Sequence, residues 1–110
     1  MKLKHTKNKY QDYYKDDQGR YQSEYKDYHS SGKIHIHCYY KDGKRHGKFT
    51  GYFDNGDVSV LSYYKDGMHH GEFKAYFSNG EICNHMYLEN GINKGIGYLR
   101  RLKIKNLLED

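Results

Sequence analysis

The chain has 110 residues, an apolar fraction of 35% and a formal charge of +5. That length allows a single domain, and the low apolar content argues against a thick two-sided core. No apolar run approaches the ~18 residues of a membrane span, and residues 1–15 lack the apolar stretch of a signal peptide, so a cytoplasmic location is expected.

Residues 1–9 carry Lys2, Lys4, Lys7 and Lys9 with no acid and read as a solvated basic arm. A weak strand is expected near 10–15. Further strands are expected near 20–28, 33–40, 48–53, 57–64, 72–77, 81–88 and 96–104, where β-branched and aromatic residues alternate with polar ones. Two stretches overlay without a gap: Tyr39-Tyr40-Lys41-Asp42-Gly43 with Gly47-Lys48-Phe49 recurs as Tyr63-Tyr64-Lys65-Asp66-Gly67 with Gly71-Glu72-Phe73. The offset is 24 residues, and a further 24 lands on Tyr87, Gly91 and Gly95. A fixed period in this range marks a repeat array whose units stack only on their neighbours.

The turns follow the same period. Asn55-Gly56 and Asn79-Gly80 lie between aromatic and β-branched runs and predict type I′ hairpins. Lys-Asp-Gly-x-x-x-Gly at 41–47 and 65–71 predicts the other reversals. Alternation points Phe49, Gly51 and Phe53, then Phe73, Ala75 and Phe77, to an inner face. Ile34/Val58/Ile82 and Ile36/Val60/Asn84 are the inner columns of the return strands, and the small residue at 51 and 75 leaves room for a ring. Approximate units are 13–38, 39–62, 63–86 and 87–98, forming a repeat domain over 10–98. Residues 99–110 break the pattern and predict a capping strand or short helix. The fold class is all-β: a single-layer antiparallel array of β-hairpins with about seven or eight strands.

The positive charge belongs to the ends. Residues 10–95 hold 11 basic and 12 acidic side chains, whereas Arg100, Arg101, Lys103 and Lys105 repeat the basic bias near the C-terminus. A surface that tracks phosphates carries its own Lys/Arg excess, so nucleic acid is argued against as a partner. Cys38 and Cys83 are out of register with the period, which predicts no disulfide and a reducing compartment. His35 and His37 share a strand face, but their repeat equivalents place further ligands roughly 20 Å away, too far for one metal ion. His46 and His70 read as turn residues. No nucleophile and base are brought together by the register. No catalytic residue, metal site or cofactor is therefore expected, and the chain is read as a non-enzyme. Tyr39, Tyr63 and Tyr87 hold one repeat position, and Tyr52 and Tyr76 another. They are either cross-strand ladders that stabilise the sheet or a contact face for a partner, and the two roles are compatible.

Tyr40-Lys41-Asp42-Gly43-Lys44-Arg45-His46-Gly47 and Tyr64-Lys65-Asp66-Gly67-Met68-His69-His70-Gly71, completed by Tyr52…Asn55-Gly56 and Tyr76…Asn79-Gly80, resemble variant-type MORN repeats of bacterial and giant-virus proteins. The likeness covers about residues 13–98, with Phe49 and Phe73 where that family often carries Trp. It implies a β-hairpin array used for protein–protein contact or scaffolding in the cytosol of a bacterium or a virus-infected cell. It also implies two alternatives, contact with acidic phospholipid or an antitoxin-like neutraliser; on charge alone the candidate lipid contacts are the basic ends, Lys2, Lys4, Lys7, Lys9, Arg100, Arg101, Lys103 and Lys105.

Overall fold

The computed structural model describes residues 2–94, in which every regular element is a β-strand. They are β1 (Lys4–Lys7), β2 (Gln11–Lys15), β3 (Tyr21–Tyr28), β4 (Ile34–Lys41), β5 (Lys44–Arg45), β6 (Gly47–Tyr52), β7 (Val58–Lys65), β8 (Met68–His69), β9 (Gly71–Tyr76), β10 (Ile82–Glu89) and β11 (Ile92–Asn93). All join one antiparallel sheet in the order β1-β2-β3-β4-β6-β7-β9-β10-β11, with β5 on β4 and β8 on β7. The body measures 54 × 32 × 14 Å, and 14 Å is the thickness of one sheet with its side chains. The expected strand 96–104 and the cap at 99–110 lie outside the described residues.

Strand number exceeds the expectation because β1 joins the sheet and because each of the last three units carries a two-residue strand just after a tight turn. Asp42 and Gly43 both have positive φ (51° and 81°), as do Asp66 and Gly67 (51° and 85°) and Asn90 and Gly91 (51° and 77°). Two consecutive positive φ values define a type I′ hairpin, whose twist matches the flanking strands. Each of these turns also leans on the unit before it. The Gly43 amide donates to the Tyr21 carbonyl, Gly67 to Arg45 and Gly91 to His69, each at 2.9 Å.

The Asn-Gly pairs do something else, which corrects the expected turn type. The Gly56 amide donates to Phe53 O (2.9 Å), and Gly56 takes the positive φ (94°) while Asn55 does not. Instead, Asn55 Oδ1 accepts from the Asp57 amide, and Asn79 Oδ1 from the Glu81 amide, each at 2.9 Å. The chain reverses through a type I turn closed by a left-handed glycine, the longer hairpin loop. Phe53 and Phe77 start these loops rather than lining the inner face, and Phe77 is 53% exposed.

Register shifts explain a second correction. Pairing slips between Asp27 and Tyr28, between Gly51 and Tyr52, and between Ile82 and Asn84. One extra residue moves a side chain to the other face. Ile34, Val58 and Ile82 therefore oppose Tyr28, Tyr52 and Tyr76, away from the expected inner column. Ile36, Val60 and Asn84 do oppose Gly51 or Ala75. The space above Gly51 is filled by Val60 and Ile36 side chains rather than by a ring.

The N-terminal arm is also corrected in part. Lys4–Lys7 pairs with β2, from Lys4↔Lys15 to Lys7↔Asp12. A Lys-rich strand with no apolar alternation is tolerated because it lies at an edge, where both its faces reach water.

Candidate interaction face

Alternation gives the sheet two unlike faces. On the first, Tyr25 opposes Cys38, Phe49 opposes Ser62, and Phe73 opposes Met86. Here lie Cys38 and Ser62 (each 1% exposed) and Phe49. Ring contacts run along it: Tyr13, Tyr21, Tyr25 and Tyr40 form one group, with centroids 5.0–6.4 Å apart. Phe49, Tyr64, His69 and Phe73 form the next chain of contacts. The Arg45 guanidinium sits 4.8 Å over Phe49 and 5.4 Å over Tyr64 and donates to the Tyr64 hydroxyl. Large aromatic area with polar tips at the rim lets one sheet face pack against itself.

Electrostatics on this face suit packing. Burial pushes the Cys38 thiol up to about 11, which leaves no thiolate to act as a nucleophile at neutral pH. Burial pushes the Tyr25 hydroxyl up to about 12, and it is held by Gln11 and Asp27. Burial and then the Arg45 charge lower the His69 pKa, which keeps the imidazole neutral beside the guanidinium. Cys83 is exposed, and both cysteines are free thiols.

The second face is where the singled-out tyrosines stand. Tyr39 opposes Glu24, Tyr63 opposes Lys48, and Tyr87 opposes Glu72. Tyr52 and Tyr76 share the face toward its other margin, opposite Val58 and Ile82. Tyr39, Tyr63 and Tyr87 are 39%, 37% and 46% exposed, and Val58 and Ile82 are exposed too. No ring contact joins these tyrosines among the described residues; only Tyr39 meets another ring, that of His37 at 5.4 Å. Equivalent tyrosines are two strands apart, roughly 10 Å, with a charged residue between. Tyr39, Tyr63 and Tyr87 therefore form no ring ladder, whereas Tyr52 and Tyr76 pair directly across strands with the β-branched Val58 and Ile82.

Polar pairs brace the same face between its two tyrosine rows. His37 bonds Glu24 at 2.8 Å, and His85 and Lys74 lie 3.2 and 3.1 Å from Glu72. Burial pushes the Glu72 carboxyl up, but Lys74 and His85 more than offset that and hold it below the usual carboxylate range. His35, at the margin, pairs with Asp27 at 3.0 Å, and its ring lies 4.6 Å from His29. Among the described residues no three His, Cys, Asp or Glu side chains gather as a metal would require.

Sequence reasoning missed Tyr40, Tyr64, Arg45 and His69 as packing residues. Their signal was present: adjacent tyrosines in a strand must point to opposite faces, so each Tyr-Tyr pair sends one ring in and one out. Of the basic residues singled out, Lys2, Lys4, Lys7 and Lys9 lie in or beside β1, while Arg100, Arg101, Lys103 and Lys105 lie outside the described residues.

A buried polar knot ties the irregular first unit to the repeats. Asp16 accepts from Gln22 Nε2 (2.9 Å), Arg20 Nε (2.8 Å) and the amides of Arg20 and Gln18, and Gln22 also bonds Asp42 (2.8 Å). The Gln22 amide first, then the Arg20 and Gln18 donors, hold the Asp16 carboxyl far below its ordinary range. A depressed folded-state pKa contributes stability above the unfolded value, near pH 4, which is lost as pH falls below it. Melting temperature is expected to drop steeply below about pH 4 in the wild type. Asp16→Asn should lower it at neutral pH and flatten that acid limb. An unchanged acid limb in thermal melts would refute the assignment.

The family model for the MORN repeat variant matches three times, over residues 22–42, 45–66 and 70–90, together more than half of the chain. No curated protein and no solved structure matches. Each match ends at or beside a positive-φ turn residue, Asp42, Asp66 or Asn90.

Proposed function

Because this chain belongs to the MORN repeat variant family, whose repeats are generally non-enzymatic modules for protein or membrane-lipid contact, we propose that it is a protein-binding module acting through its second face. The observation that carries this reading is the exposure of Tyr39, Tyr63 and Tyr87 at one repeat position, with no ring ladder to account for them. Tyrosine supplies large contact area with few rotatable bonds and is enriched where interfaces bind most strongly. Glu24, Lys48 and Glu72 alternate in sign beside the rings, which suits a protein surface of mixed charge better than a uniformly anionic lipid sheet. The face is preformed on strands, so little ordering is needed on binding. No helix among the described residues is long and apolar enough to cross a membrane.

The test is a triple substitution, Tyr39→Ser/Tyr63→Ser/Tyr87→Ser, in quantitative affinity purification from the native host. The triple variant should keep a near-wild-type melting temperature and lose its partner at least about tenfold. Phe77→Ser, at a ring 53% exposed in a loop outside that row, should keep the partner. A partner set that is the same for all three proteins would sink the reading.

A further inference from the structure

Among the described residues β1 ends the sheet, with β2 as its sole strand neighbour. We propose that the outer edge of β1 docks an extended acidic segment of another protein, which adds to the sheet as a further strand. This surface is separate from the tyrosine face and does not depend on it.

Three observations point this way. First, the backbone is ready. The Asn8 amide donates to Gln11 O at 2.8 Å, which makes 8 and 11 a hydrogen-bonded pair. Antiparallel pairing alternates, so Lys4 and Thr6 bond β2 while His5 and Lys7 aim their N–H and C=O groups outward. Those outward groups are what an added strand pairs with.

Second, the charge is arranged for an extended partner. Residues 2–9 hold four lysines and no acid. Lys4 shares a face with Thr6, opposite Lys15 and Tyr13, whereas Lys7 shares the other face with His5, opposite Asp12 and Tyr14. An added strand sends alternate side chains above and below the sheet, where its carboxylates meet Lys4 on one side and Lys7 on the other. A flat lipid surface meets only one of these sides at a time. Lysines on an edge also repel a second basic edge, which discourages self-pairing while leaving an acidic strand welcome.

Third, the turn that follows β1 faces the 29–32 turn across a hollow. About 360 Å³ of space is lined by Lys9, Tyr10, His29, Ser30, Ser31 and Gly32. The Lys9 ammonium and the Tyr10 and Ser30 hydroxyls, with no acid in the lining, suit a carboxylate, while the Ser31 hydroxyl already donates to Asp54 at 2.7 Å.

The experiment titrates the full chain against a labelled peptide of Glu-Glu-Val-Val repeats, which carries carboxylates on both faces of a strand, followed by fluorescence anisotropy. A Lys/Val peptide and vesicles of phosphatidylcholine with phosphatidylserine serve as comparisons. The acidic peptide should bind saturably and the basic one should not, with affinity falling as salt rises. Lys7→Gln removes a charge, whereas Lys7→Pro also removes an N–H that faces away from β2, so pairing with β2 stays intact. Lys7→Pro should weaken binding about fivefold beyond Lys7→Gln, the equivalent of one hydrogen bond. Exchange of the His5 and Lys7 amides should slow at saturating peptide, a readout that needs no variant. Equal effects of the two substitutions with unaltered amide exchange would overturn strand addition. Vesicle binding in the absence of peptide binding would overturn it in favour of a lipid surface.

Discussion

Phe49→Ala is expected to lower the unfolding free energy by about 3–5 kcal/mol, a large part of the 5–15 kcal/mol of a typical domain. The ring is 8% exposed, meets Tyr64 edge-on at 5.6 Å between centroids, and carries the Arg45 guanidinium. Its same-face neighbours along β6 are Gly47 and Gly51, neither of which has a side chain to fold into the space. The hole cannot collapse, so the cost falls at the upper end of the cavity range. Phe73 holds the same repeat position but is only half-buried, and Phe73→Ala should lose about 2 kcal/mol. Urea unfolding of both variants checks the ranking. Equal losses would mean that packing is not concentrated around β6.

Gly51→Ala is expected to destabilise by about 1–3 kcal/mol although it adds only one methyl group. A Cβ at this position would lie 2.7 Å from Val60 Cγ1, 3.2 Å from Ser59 Oγ and 3.8 Å from Ile36 Cδ1. Val60 cannot move away freely, because Ala75 opposes it on its other side. The natural alanine at 75 shows that one methyl is tolerated on one side of Val60 and crowded on the other. Gly51→Ala combined with Val60→Ala should cost less than the sum of the two single variants, by on the order of 1 kcal/mol. Strict additivity in the double-mutant cycle, measured by denaturant unfolding, would refute the crowding.

Much of this was legible in the sequence because the period repeats whole physical solutions. The 24-residue offset specifies a hairpin array, and strand alternation alone places Tyr39, Tyr63 and Tyr87 on one face. The misses share one cause. Side-chain direction has a period of two, so the extra residue Ser59, between Val58 and Val60, sends Val58 to the tyrosine face while Val60 stays on the packed one. Composition gives no warning of that slip. Asn55 misled because Asn-Gly fits two hairpin loops, and the choice turns on whether Asn lends its backbone or its side chain. Lys4–Lys7 misled because edge strands need no apolar alternation.

The bonds from Gly43 to Tyr21, from Gly67 to Arg45 and from Gly91 to His69 carry one more implication, for how such a protein can change length. Each turn finds its acceptor in the preceding copy, 22 residues back, and offers its own acceptor to the following one. A tandem duplication of 24 residues would arrive with both ends of that chain ready to engage. An insertion of another length would leave one turn without its acceptor, and an odd-length one within a strand would also flip the faces beyond it. Growth and shrinkage of this surface are thus quantised, and its genes should be found to lengthen by whole cassettes.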